Sequence, residues 1–159
     1  ERWLGTVLPV ISRFAEKAAG AGAILSLENV YEETPDGMRD VLERLSGCNV
    51  YMCLDVGHVR AFSSTSMPEW IDATGPYVRQ LHLHDNDGAG DRHLPIGAGS
   101  IDFGAVRSLI EHMRHEPIIT LEPHSEEDIW KTLEGFVSTG LCDSLEQRRR
   151  RSSDDGVEE

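Results

Sequence analysis

Four short apolar runs punctuate the chain, and each is closed by an acidic residue or a histidine. Ile24-Leu25-Ser26-Leu27 ends in Glu28, and Val50-Tyr51-Met52-Cys53-Leu54 ends in Asp55. Val78-Arg79-Gln80-Leu81 ends in His82, and Ile118-Ile119-Thr120-Leu121 ends in Glu122. Runs of this length between turn residues predict buried strands over 24–28, 50–55, 78–83 and 117–122. The intervening segments carry helical signals. In 2–19, Leu4, Leu8, Ile11, Phe14 and Ala18 fall near one stripe, and Gly20 and Gly22 end it. Thr34-Pro35 predicts a helix start, with Thr at the N-cap and Pro at the first helical position, and Gly47 suits its end. Ser66 to Gly75 reads as a short helix, and 102–114 as another. Ser125 opens the next one, with Glu126, Glu127 and Asp128 where they meet the positive helix end. Gly140 suits its close. A polar, Gly-rich loop runs from Asp85 to Ser100. The segment 141–159, with Arg148 to Arg151 and an acidic end, has few apolar anchors and is expected to be a disordered charged tail. That leaves a domain over 1–140.

A helix followed by four βα units predicts a parallel sheet with right-handed crossovers. The strand-closing residues are spaced 27 (28 to 55), 27 (55 to 82) and 40 (82 to 122), the last interval stretched by the loop. A closed (β/α)8 barrel takes about 250 residues, so four units make half of one. The chain starts at Glu1 rather than Met. The expected fold is therefore the C-terminal half of a (β/α)8 TIM barrel. Such a half exposes two strand edges, so it is expected to pair with a missing N-terminal half-barrel or to form a homodimer.

Composition narrows the partners. The net charge of -13 argues against broad binding to nucleic acid or anionic membrane. No run of about 18 apolar residues is present to span a membrane. The N-terminal segment is amphipathic and charged, unlike a signal peptide, and a cytoplasmic location is expected by default. Cys48, Cys53 and Cys142 contain no CxxC pair, so neither a disulfide framework nor a thiolate metal site is expected.

In parallel barrels the C-terminal strand ends converge on one face. Glu28, Asp55, His82 and Glu122 then form an O,O,N,O set suited to a divalent metal: Mn, Co, Mg or Zn. Local context adds candidates. His58 lies three residues past Asp55 in Leu54-Asp55-Val56-Gly57-His58. His82 and His84 share a face of the strand by its period of two. Asp91-Arg92-His93 precedes Leu94-Pro95-Ile96-Gly97-Ala98-Gly99.

Taken in order, Leu27-Glu28-Asn29, the Asp55–His58 segment, His82-Leu83-His84-Asp85-Asn86 with Asp91 to Gly99, and Thr120-Leu121-Glu122 resemble the xylose isomerase-like TIM barrel superfamily over about residues 1–138. That superfamily contains sugar-phosphate isomerases and epimerases and also endonuclease IV. The isomerase resemblance implies one divalent metal on Glu28, Asp55, His82 and Glu122. It implies Glu28 and Glu122 as the acid–base pair, His58 at a substrate hydroxyl, and proton transfer through an enediolate on a sugar or sugar phosphate. The nuclease resemblance implies three zinc ions on Glu28, Asp55, His58, His82, Asp91, His93 and Glu122, with two further histidines from the missing half. Two departures weaken it: His84-Asp85-Asn86-Asp87 stands where the nuclease has Asn-Asp-Ser-Lys, and the net charge is unsuited to gripping phosphates. Asp91 and His93 thus remain candidates for substrate binding or a second metal. The expected function is a metal-dependent sugar isomerase or epimerase. An endonuclease IV-like zinc-dependent apurinic endonuclease and a non-catalytic half-barrel assembly module are the alternatives.

Overall fold

The structure, a computed structural model, describes residues 2–154. It opens on helix α1 (Arg2–Gly20), then strand β1 (Leu25–Glu28) and helix α2 (Asp36–Arg44). Strand β2 (Val50–Asp55) runs straight into helix α3 (Val56–Phe62), followed by α4 (Met67–Thr74) and a single 3-10 turn. Strand β3 (Val78–Leu83), helix α5 (Phe103–His112), strand β4 (Ile118–Leu121), and helices α6 (Glu126–Ser138) and α7 (Leu141–Asp154) complete it. Four parallel strands form one sheet in the order β1-β2-β3-β4. Sequential neighbours with helical crossovers are the winding of a barrel, because each helix returns the chain to the next strand position. Among the described residues β1 and β4 are each paired on one side only. Among the described residues no helix is long and apolar enough to cross a membrane.

The register climbs across the sheet. Glu28 lies opposite Cys53, Cys53 opposite Gln80, Asp55 opposite His82, and His82 opposite Thr120. Side chains alternate by the strand period. Met52, Leu54, Leu81 and Leu83 are fully buried in the core with Leu42, Trp70, Val106 and Ile110 of the helices. Asp55 and His82 turn to the other side of the sheet, where a closed barrel keeps its mouth. Burying an aliphatic side chain in such a core is worth about 1.5–3 kcal/mol, so the helix layer sets the strands and the strands set the residues that close them.

The structure corrects the expected tail. Residues Leu141–Asp154 form α7, which packs on α5. Leu141 and Ser144 are buried, Leu145 packs on the core, and Arg148 is only 6% exposed. Ser144 Oγ donates to Glu111 Oε1 at 2.9 Å, and Arg148 Nη2 donates to the Arg114 carbonyl at 3.2 Å. Positions 141, 145 and 148 form one helical stripe, but its third member is the aliphatic stem of an arginine, which a reading by charge counts as polar. The rest of the expected tail, 155–159, lies outside the described residues.

Smaller differences are local. The second helix starts one residue later than expected, with Pro35 at the cap position. Helix α3, with no apolar stripe long enough to predict it, exists because Asp55 caps it.

Candidate metal centre and active site

Asp55 does two jobs where β2 ends. Its Oδ1 accepts from the His58 backbone N–H at 2.7 Å, which caps α3 and brings the His58 ring back over the strand end. The Asn29 amide holds the same point from β1: its Nδ2 donates to the Asp55 carbonyl at 3.0 Å, and its Oδ1 accepts from the Asp55 N–H at 2.9 Å. A side chain thereby extends the β1–β2 ladder past Glu28. His58 Nδ1 lies 2.8 Å from the Asn29 carbonyl, which completes the corner.

His82 Nδ1 sits among three carboxylates. It is 3.0 Å from Glu122 Oε1, 3.4 Å from Glu28 Oε1 and 3.8 Å from Asp55 Oδ2. Both His82 Nδ1 and Asp55 Oδ2 are buried without a hydrogen-bond partner. Buried polar atoms are nearly always satisfied, so two unpartnered ones aimed at the same point fit a cation there. The donor set of carboxylate oxygens and an imidazole nitrogen fits a divalent metal. Glu28 and Glu122 keep 35% and 25% of their side-chain surface open, so a ligand can reach them.

A second group adjoins the first. Asp91 Oδ2 lies 3.3 Å from His58 Nε2 and 3.2 Å from His93 Nε2, and its Oδ1 lies 3.7 Å from His84 Nε2. His58, His84, Asp91 and His93 could together hold an ion. The loop that delivers Asp91 and His93 is organised by Asp85. Its buried carboxylate accepts the N–H groups of Asn86, Gly97, Gly99 and Ile101 at 2.8–3.1 Å. Gly99 is required there, because a Cβ would fall on the Asp85 carboxylate and the Asn86 carbonyl. Gly57 is required at the α3 start, because a Cβ would fall on the His84 ring.

Electrostatics tie the two groups. Burial pushes the Asp55 carboxyl up, but the His84 hydrogen bond at 3.1 Å, the His84 charge, and the His58 N–H and charge hold it below its ordinary range. Burial pushes His84 down, yet the Asp55 hydrogen bond and the charges of Asp55, Asp91 and Glu122 leave it raised. Burial and the charges of Glu28, Asp55 and Glu122 push the Cys53 thiol up, so it stays a neutral thiol beneath the site.

All seven candidates, Glu28, Asp55, His58, His82, Asp91, His93 and Glu122, meet at one end of the sheet. Two participants escape a reading by motif. Gln80 places its amide 3.0 Å from His82 Nε2, a contact its two-residue spacing from His82 could have signalled. His124 stacks on His93 at 3.9 Å, and His93 on His84 at 3.8 Å; nothing in the sequence announces that stack. A cavity of about 780 Å³ lies elsewhere, at the N-terminal ends of β2 and β3, and touches none of these residues.

The four-unit parallel winding, the candidate ligands at the strand ends and the Asp-x-x-His corner agree with a family model described as xylose isomerase-like TIM barrel, matched over residues 2–138. The chain belongs to that family. A relative in Methanocaldococcus jannaschii, the uncharacterized protein MJ1311, is 28% identical over 131 residues, covering 78% of this chain and 45% of that protein. Among solved structures, the TTHB071 protein of Thermus thermophilus, soaked with ZnCl2, is 29% identical with a TM-score of 0.71, covering 88% of this chain and 54% of that one. A D-tagatose 3-epimerase-like protein superposes with a TM-score of 0.74 at 24% identity, over 93% of this chain and 56% of that one, a likeness of fold. The chain spans about half the length of the relatives it matches.

Proposed function

We propose that this chain supplies the metal-binding and acid–base half of a sugar or sugar-phosphate isomerase or epimerase. The observation that carries the reading is the pair Glu28 and Glu122, which reach one imidazole nitrogen from the two outermost strands, at 3.4 and 3.0 Å. Glu28, Asp55, His82 and Glu122 would hold a divalent cation (Mn, Co, Mg or Zn). Such a cation, when bound, stabilises negative charge developing on substrate oxygens. A proton α to a carbonyl is weakly acidic, so its removal needs a base within hydrogen-bond reach. One glutamate takes that proton as the carbonyl becomes an enediolate. The other returns a proton to the opposite face of the same carbon, which is epimerisation; return at the neighbouring carbon is aldose–ketose isomerisation. His58 contributes a hydrogen bond to a substrate hydroxyl. Asp91 and His93, beside it, bind substrate or a second cation.

The second group of His58, His84, Asp91 and His93 favours one other reading, a multi-metal phosphodiesterase acting on abasic nucleic acid. Incubation of the chain in a completed barrel with ketoses or ketose phosphates in deuterated solvent separates the two. Solvent deuterium at a sugar carbon is expected, reduced about 100-fold or more in Glu28→Gln or Glu122→Gln. Cleavage of an abasic duplex without sugar exchange would replace this function with the nuclease.

Completion of the barrel is part of the proposal. The first and last units carry exposed apolar residues: Trp3, Val10 and Phe14 on α1, Ile118 on the edge strand β4, and Ile129, Trp130, Leu133 and Val137 on α6. Patches of this kind mark contact surfaces. An N-terminal half-barrel is the partner we favour over a second copy. A second copy would bring a duplicate set of Glu28, Asp55, Asp91 and Glu122 to one mouth. Light scattering tests this: a dimer of the chain alone would favour the second copy.

A further inference from the structure

The His82 ring has two nitrogens, and when neutral it carries one proton. Nδ1 faces the three carboxylates, whereas Nε2 lies 3.0 Å from the Gln80 side-chain amide. Gln80 also lies 3.5 Å from the Thr120 hydroxyl across the β3–β4 pair. What Gln80 presents to Nε2, acceptor or donor, favours one tautomer of the ring over the other. With the amide nitrogen facing the ring, as in the structure, Nε2 accepts and the proton lies on Nδ1. That proton points among the carboxylates, where Nδ1 has no aligned partner despite Glu122 Oε1 at 3.0 Å. A protonated Nδ1 cannot be a ligand. With the amide oxygen facing the ring, Nε2 donates and the bare Nδ1 lone pair points at Glu28, Asp55 and Glu122.

A carboxamide has nearly the same shape either way round, so a half-turn exchanges these states without moving the strand. The Thr120 hydroxyl serves both, accepting from the amide nitrogen or donating to the amide oxygen. A carboxylate at position 80 would fix the second state but add a negative charge to a mouth that already gathers Glu28, Asp55, Asp91 and Glu122. An aliphatic side chain would fix neither. Metal-ligating histidines ordinarily donate their second N–H to an oxygen, which sets the tautomer.

We propose that Gln80 is a positioning residue that sets the tautomer of His82, and that its amide turns over when a cation is loaded. The inference rests on the reading of His82 as a metal ligand, and the experiment separates the two. The whole chain is labelled with 15N-histidine, and the ring shifts of His82 are read at about pH 8, above the ordinary histidine range. Spectra are taken without metal and with zinc alone, the His82 signals being assigned by their loss in His82→Asn. In the unsubstituted protein the proton is expected on Nδ1 without metal and on Nε2 with zinc. Gln80→Glu should place it on Nε2 in both states. Gln80→Met, close in shape but without a strong acceptor, should mix the tautomers and weaken zinc binding about 10-fold or more. Unchanged tautomers in Gln80→Glu would overturn the inference, as would full zinc affinity in Gln80→Met. If the unsubstituted protein takes up no zinc, the metal reading and the turnover on loading both fail. The metal-free comparison of Gln80→Glu with the parent then still decides who sets the tautomer.

Discussion

Replacing Asp85 by asparagine removes one negative charge, keeps the shape, and tests what holds the Asp91–His93 loop over the mouth. Oδ1 of Asp85 accepts the N–H groups of Asn86 (2.8 Å) and Ile101 (3.1 Å), and Oδ2 those of Gly97 and Gly99 (3.0 Å each). An asparagine has one acceptor oxygen, so its NH2 group must face one of these pairs, donor against donor. Two charge-assisted bonds are lost at about 1.5 kcal/mol each or more, an expected cost of about 3 kcal/mol. Total stabilities run at about 5–15 kcal/mol, so the loss is easily read. Because the Asp85–Leu94 bridge is anchored at the same residue, the loop should open before the sheet does. The assay is urea unfolding of the whole chain, paired with amide exchange at Gly97, Gly99 and Ile101. Protection there should fall while that of β2 and β3 persists. A stability loss below about 1 kcal/mol with protection retained would refute the reasoning, because the four bonds would then carry no net weight.

Two further outcomes follow from the same structure. Leu141→Ala should destabilise the chain by about 2–5 kcal/mol and loosen α7 from α5, read by thermal unfolding; a neutral effect would mean that the C-terminal helix contributes nothing to the fold. The metal-free protein should have a stability maximum between the ordinary carboxylate and histidine ranges, at about pH 4–6.5. Asp55 is lowered in the folded state, so its contribution is present above its unfolded value and is lost as pH falls through the folded one. His84 is raised, so its contribution is present below its unfolded value and is lost as pH rises through the folded one. A melting temperature, taken in chelator, that climbs steadily through the histidine range would contradict the pairing.

Much of this was legible along the chain. Glu28, Asp55, His82 and Glu122 close apolar runs whose length predicts strands, and the helical segments between them leave a parallel winding as the simplest arrangement. The half-barrel also follows from counting units. Where the reading missed, short-range pattern was silent. Helix α3 has no stripe, since a single cap at Asp55 initiates it. The C-terminal segment looked too charged to fold, since Arg148 packs its stem against the helix layer and its guanidinium donates to the Arg114 carbonyl, uses that a count of charges does not show. Gln80 lay inside a run read as a strand and drew no separate notice, though its period-two spacing from His82 marked it.

The sequence by itself determined the order of elements, the strands' buried faces and the chemical type of the candidate ligands. These depend on periodicity and residue type, which are local properties. Tertiary structure alone decided which atoms of those residues meet. Residues 27 to 94 positions apart arrive within 4 Å of one nitrogen because the register steps up from strand to strand. That distance is fixed by packing of the helix layer, as are the Asp55 pair with His84, the imidazole stack on His93 and the amide beneath His82. Contacts between strand ends depend on register and side-chain packing, and neither is written in any one segment.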